Sequence, residues 1–293
     1  MADRSRIHPD HRLDMSSRTP LLVAAAIGLA TLHPSVGGAQ LAIDADVAFN
    51  SAYVWRGVTS TNRFVINPTL LLSAPVGKTT LTLGGWTNVE PARYDGARDL
   101  SPLEGEPGPA LTSSQVWVEL EREVGPATIT LGITRYLYPD VADLSDTYAS
   151  NEAYGTLSLG GALSPSLTLA YDVEKVRGAY VELGLARELA LPLSRTRRQP
   201  LALSAAAGWS AGQAEDPSAH DAAYFTRDGL THLDLGAATT FALGGVEIEP
   251  SAHLVVARDE MARLVAPDEL RRVKGWFGVS LSWSGSVGGE RAK

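Results

Sequence analysis

From about Leu41 to Trp283 the chain repeats one pattern: apolar residues at every second position, in runs broken by glycine, proline and polar stretches. A period of two belongs to the β-strand, whose successive side chains point to opposite faces. The last run shows it most clearly. In Val273-Lys-Gly-Trp-Phe-Gly-Val-Ser-Leu-Ser-Trp283, residues Val273, Gly275, Phe277, Val279, Leu281 and Trp283 share one face, and Lys274, Trp276, Gly278, Ser280 and Ser282 share the other. After Ala39 no stretch of useful length carries apolar residues at helical spacing.

The pattern predicts strands over 41–55, 64–75, 79–89, 114–124, 127–138, 151–163, 167–175, 179–190, 200–210, 230–243, 245–257 and 272–284. Many are close to the roughly ten residues that cross a bilayer obliquely. The connections alternate in length. Ala74-Pro-Val-Gly77, Val124-Gly-Pro126, Leu163-Ser-Pro165 and Leu243-Gly-Gly245 are tight turns, and the Leu191–Gln199 link is somewhat longer. The intervening links Val89–Ser113, Pro139–Ser150, Ala211–Gly229 and Arg258–Arg271 are long, while Gly57–Arg63 and Lys175–Gly178 are the short members of that set. A soluble barrel has no reason to keep this alternation. The expected fold is an all-β, antiparallel transmembrane β-barrel of about twelve strands, with short periplasmic turns and longer extracellular loops.

Composition agrees with that architecture and removes others. A 44% apolar fraction and a mean hydropathy of −0.02 exclude a helical membrane bundle but suit a barrel, half of whose strand residues face water. With no cysteine, disulfide and thiolate chemistry are excluded. A net charge of −8 argues against nucleic-acid binding, which needs a basic face. Residues 1–39 read as an export signal: Arg18 precedes the apolar run Leu21–Leu32, and Gly37-Gly-Ala39 offers a small-residue cleavage site ahead of Gln40. The polar stretch before Met15 is out of place in such a signal, so Met15 is the expected initiator.

Alternation then assigns the inward face. Leu41, Ile43, Ala45, Val47 and Phe49 face lipid, which turns Asp44, Asp46 and Asn50 inward. By the same rule Trp117, Glu119 and Glu121 face inward, as do Thr168, Asp172 and Glu174, Glu182, His232 and Asp234, and Glu247, Glu249 and His253. Charge at a lipid-facing mid-strand position costs a few kcal/mol, so these carboxylates must line water or be paired. The available cations are chiefly Arg56 and Lys274, and the expectation is a narrow lumen with a weak preference for cations. The competing expectation is that rim arginines pair with the carboxylates and plug the lumen. Tyr53, Trp55, Trp86, Tyr94, Tyr136, Tyr138, Tyr148, Tyr171, Trp209, Tyr224 and Phe225 gather toward the long-link ends and read as an interfacial aromatic belt, with Trp283 at the opposite rim.

Catalytic and metal readings are weaker. Ser251 and His253 lie two apart on one strand, and His232 with Asp234 and His220 with Asp221 are possible acid–base pairs, but none follows a catalytic motif. Glu247, Glu249 and His253, or Asp95, Asp99, Glu104 and Glu106, are carboxylate-rich without distinctive metal spacing. No phosphate-cradling glycine motif is present and no cofactor is implied; Gly84-Gly85 and Gly160-Gly161 lie within strand patterns.

Asn50-Ser-Ala-Tyr-Val-Trp-Arg-Gly-Val-Thr-Ser-Thr61 resembles the first-strand signature of the TorF-type porins, in which an aromatic-x-aromatic-Arg-Gly run ends the first strand. Tyr53, Trp55, Arg56 and Gly57 match it. The resemblance covers about a dozen residues by count of that segment and implies an exported outer-membrane barrel with a transport role and no catalytic residues. Two features depart from it: the Gly- and Pro-rich second loop 91–111, and a polar tail beyond the terminal aromatic. The expected organisation is a signal peptide over 1–39, a barrel over 40–284 and a tail over 285–293. Expected partners are outer-membrane lipid and lipopolysaccharide, the barrel-assembly machinery during insertion, and small solutes or ions. The alternatives are a non-channel structural or surface-binding barrel, and a lipid-modifying enzyme or protease of the outer membrane.

Overall fold

The computed structural model describes residues 40–92, 108–139, 149–192, 198–213, 224–266 and 269–288. The expected signal segment 1–39 lies outside them, as do Tyr94, Tyr148, the His220–Asp221 pair and the acidic residues 95–106. Among the described residues one sheet closes on itself. Its strands are β1 (Leu41–Asn50), β2 (Val65–Val76), β3 (Thr79–Glu90), β4 (Ala110–Val124), β5 (Ala127–Leu137) and β6 (Ser150–Leu159), then β7 (Ser166–Asp172), β8 (Ala179–Pro192), β9 (Arg198–Ala211), β10 (Gly229–Ala238), β11 (Val246–Ala257) and β12 (Val273–Val287). Each pairs antiparallel with its sequence neighbours. The ladder from Leu41↔Val287 to Asn50↔Gly278 joins β12 back to β1, so the twelve strands form a closed barrel with no free edge.

The alternation read from sequence is the alternation observed. From β3 to β12 every strand presents at least one large apolar side chain to the outside, with Leu131 60% exposed and Phe277 67% exposed. Soluble proteins rarely carry contiguous apolar patches beyond a few hundred Å², so a belt around a whole barrel is a surface made for hydrocarbon. Among the described residues the links at one end are Gly77–Lys78, Gly125–Pro126, 160–165 and Gly244–Gly245. The other end carries 51–64, 173–178 and the described parts of the links that precede β4, β6, β10 and β12.

Several boundaries differ from expectation, and four of them have a clear local reason. β1 stops at Asn50 rather than 55, because Ser51 caps the ladder: its N–H donates to the Phe277 carbonyl (2.9 Å) and its Oγ accepts from the Phe277 N–H (3.0 Å). β6 ends at Leu159 because 160–165 form the link to β7, with Gly161 and Ser164 at positive φ. β10 breaks at Thr239-Thr240, where Gln199 Nε2 donates to both Thr239 Oγ1 and the Thr240 carbonyl at 2.8 Å, and resumes as Phe241–Leu243 beside β11. β12 continues past Ser284 to Val287, so Gly285, Ser286 and Val287 pair with Ile43, Ala42 and Leu41 instead of beginning a tail.

Leu131→Arg in the middle of β5 is expected to lower folding stability in phospholipid vesicles by about 2–4 kcal/mol, while Thr130→Arg, which faces Glu121 inside, costs much less. Urea titration of vesicle-folded protein measures both; equal losses would contradict the two-sided wall.

Candidate functional site

Residues 51–64 do not form an external loop. Tyr53–Trp55 folds back on Val58–Thr61 as a small hairpin, paired Tyr53↔Thr61, Val54↔Thr59 and Trp55↔Val58 and separate from the barrel sheet. The two-residue turn needs positive φ at both positions. Arg56 (φ 48°) and Gly57 (φ 74°) supply it. At Gly57 an added Cβ would overlap the His232 ring beneath it, so the second turn position has neither conformational nor spatial room for a side chain.

The hairpin crosses the lumen, since it touches inward-facing residues around the whole wall. Tyr53 packs on Trp86 of β3 with ring centres 5.1 Å apart, and Trp55 packs on Tyr136 of β5 at 5.3 Å and on Tyr224 at 5.0 Å. The Arg56 guanidinium donates two 2.7 Å bonds to the Glu152 carboxylate of β6 and lies 4.2 Å over the rings of Trp55 and of Tyr180 on β8. Lys274 Nζ of β12 donates to the Gly57 carbonyl (2.7 Å), Thr59 Oγ1 (2.7 Å) and the Ala262 carbonyl (2.6 Å). Thr61 Oγ1 donates to Glu90 of β3 at 2.6 Å.

Two other links complete the stopper. The helix α1 (Glu260–Arg263) is capped by Asp259, whose buried carboxylate also accepts from the Thr226 N–H and hydroxyl, tying the β9–β10 and β11–β12 links together. Val58, Ala170, Tyr180, Phe225, Ala257 and Ala262 then form one buried apolar cluster under the hairpin. A polar ladder flanks it: Asn50 Nδ2 donates to Asn67, Asn67 Nδ2 to Asn88, and Asn88 Nδ2 to Thr112, each at 2.8 Å. Cavities of about 50 and 60 Å³ remain beside the hairpin, both bordered by Trp55, Tyr138 and Tyr224.

Burial alone would weaken the charge of Arg56. The Tyr136 oxygen and the Glu152 carboxylate overcome that, and hold its pKa above the ordinary arginine value. The guanidinium is a permanent charge, and Glu152, with a side chain 6% exposed and a further 2.9 Å bond from Tyr136, is its counter-ion.

The residues expected to line the lumen divide into three groups. Arg56 and Lys274 are inside but belong to the stopper. Asp46, Glu119, Glu121, Glu182, Asp234 and Glu249 face the lumen and are met by neutral donors or by histidine. The Tyr154 hydroxyl donates to Glu119, the Tyr180 hydroxyl to Glu182 (2.7 Å) and Thr240 to Glu249 (3.0 Å), and His253 Nδ1 lies 3.0 Å from Asp234. Asp44 and Glu247 share that face by register. Two residues leave the group. Asp172 is buried as a cap, its Oδ1 accepting backbone N–H groups from Glu174, Lys175, Val176 and Arg177. Glu174 lies past the end of β7, where alternation no longer applies, and bonds Arg135 and Asn151, which stand on the outward register.

The aromatic belt is also corrected. Tyr53, Trp55, Trp86, Tyr136, Tyr224 and Phe225 pack within the stopper; Tyr171, 48% exposed, faces outward. His253 stacks face to face on Trp276 at 4.1 Å, and among the described residues no hydrogen bond joins it to Ser251. Glu152 and Glu90 were not among the expected site residues. The alternation contained the signal for Glu152, since Leu157 and Leu159 facing outward put Glu152, Tyr154 and Thr156 inside.

No protein-family model and no curated protein matches the chain. Among solved structures, LpxR from Salmonella typhimurium is similar at 9% identity and a TM-score of 0.49, over 83% of this chain and 99% of that one. The COG4313 outer membrane channel from Pseudomonas putida F1 is similar at 10% identity and a TM-score of 0.46, over 85% and 96% of the two chains.

Lys274→Met removes three donated bonds and leaves the carbonyls of Gly57 and Ala262 buried without that partner. It is expected to cost about 1–3 kcal/mol for each orphaned group. Urea unfolding measures the loss, and limited proteolysis across 51–64 reports whether the hairpin loosens before the wall.

Proposed function

We propose that the chain is an outer-membrane channel for passive diffusion of small solutes or ions, with an acidic, weakly cation-preferring lumen. One observation carries this reading. Among the described residues none of the six lumen carboxylates Asp46, Glu119, Glu121, Glu182, Asp234 and Glu249 is paired with a lysine or arginine. Hydroxyl donors orient a carboxylate without cancelling its charge, so the lumen keeps a negative field that concentrates cations and repels anions. Arg56 pairs with Glu152, and among the described residues none of these six has such a partner. On the same reading residues 1–39 export the chain, the long-link end faces outward, and lipid with lipopolysaccharide surrounds the apolar belt.

The stopper favours one second reading, a closed structural barrel whose long links bind a surface partner. Planar-bilayer recording separates the two. The channel reading expects a reversal potential in a KCl gradient that favours potassium. Replacing Glu119, Glu182 and Glu249 by glutamine and Asp234 by asparagine should bring the permeability ratio close to unity. Chloride preference, or silence from both the intact protein and forms with the mouth opened, would sink the channel.

A further inference from the structure

We propose that the 51–64 hairpin is a movable gate, latched shut by Arg56 on Glu152, and that its withdrawal opens the lumen to cations. This inference rests on the channel reading and deepens it.

Three features of the hairpin distinguish a gate from a fixed wall element. First, Tyr53–Trp55 and Val58–Thr61 pair with each other in a two-stranded sheet separate from the barrel, so this hairpin can leave the lumen without breaking a ladder bond of the wall. Second, side-chain contacts rather than ladder bonds hold it: Arg56 to Glu152, Lys274 to Gly57 and Thr59, Thr61 to Glu90, the Tyr53 and Trp55 rings against Trp86, Tyr136 and Tyr224, and Val58 in the apolar cluster. Around them the packing is incomplete, with the two cavities on its flanks, whereas protein interiors are otherwise close-packed.

Third, its tip is strained for the sake of one side chain. The first position of such a turn favours asparagine, aspartate or glycine, and here an arginine sits at φ 48°. That conformation aims the guanidinium between the Trp55 and Tyr180 rings and onto Glu152. A strained backbone held by a paired charge is released when the pair parts. Withdrawal would also uncover Glu152 and Glu90 at the mouth, above the six carboxylates deeper in the lumen. The opened path would then carry acid from rim to interior, so the solute it suits is a cation.

The test compares three proteins in planar bilayers: the intact chain, Glu152→Gln, and a chain whose residues 53–61 are replaced by two glycines. Far-UV circular dichroism and heat-dependent gel mobility establish that each is a folded barrel. The intact protein is expected to show small, infrequent openings. Glu152→Gln keeps the side-chain shape but strands the Arg56 charge, and should raise the open-to-closed ratio roughly a hundredfold. The shortened chain should conduct continuously, at several times the intact conductance and with stronger potassium preference. If the shortened chain conducts no more than the intact one, the gate is overturned and the channel stands. If none of the three conducts, the channel reading fails and takes the gate with it. Should the shortened chain not insert, Glu152→Gln decides alone, since openings like those of the intact protein would refute the latch.

Discussion

The ladder between β1 and β12 constrains everything else in this molecule. Hydrocarbon offers no hydrogen-bond partners, so a sheet can sit in it only when its last strand pairs with its first. Ten residue pairs, from Leu41↔Val287 to Asn50↔Gly278, achieve this here. Once the wall is closed, each strand residue has two possible environments, and the pleat assigns them in strict alternation. Leu131 and Phe277 lie in the apolar belt, while Asp46 and Glu249 have no choice but the interior. The acidity of the lumen therefore follows from backbone register before any question of function arises.

A closed wall of twelve strands does not fill its own interior, and the links do that work. Much of the polar filling replaces water by fixed partners, which is favourable only where the geometry is good. The Arg56–Glu152 pair meets the condition with two parallel bonds, two flanking rings and a third donor from Tyr136. Glycines make the room: a Cβ at Gly84 would overlap the inward Trp117 indole, and one at Gly57 the His232 ring. The apolar cluster of Val58, Phe225 and Ala262 gives the stopper a small dry core of its own within a mostly polar interior.

Strand number, antiparallel order and the inward carboxylates were legible in the sequence because each depends on a period of two, which is a local signal. The stopper was not, because nothing local separates an aromatic that turns toward lipid from one that turns into the lumen. Tyr53, Trp55 and Tyr136 satisfy either reading until their partners are known, and those partners lie tens of residues away. Glu174 was misplaced for a related reason, since alternation was extended past Asp172, where the strand had ended. The Arg-Gly step was the overlooked clue. Two residues able to take positive φ between flanking aromatics describe a hairpin turn as well as they describe the end of a strand.

The stopper and the acidic lumen are linked by how the cations are used. Arg56 and Lys274 are the positive charges expected inside, and both are committed to the mouth: Arg56 to Glu152, Lys274 to the carbonyls of Gly57 and Ala262. Neither bonds Glu119, Glu182 or Glu249, which are met by tyrosine and threonine hydroxyls. A guanidinium inserted deeper would neutralise the interior and leave the hairpin unlatched. Placing it at a strained turn near the rim closes the mouth and spares the field below it. The residue that closes the mouth therefore leaves these carboxylates without a cationic partner among the described residues, and on the channel reading proposed above a path opened past Arg56 would meet that negative charge.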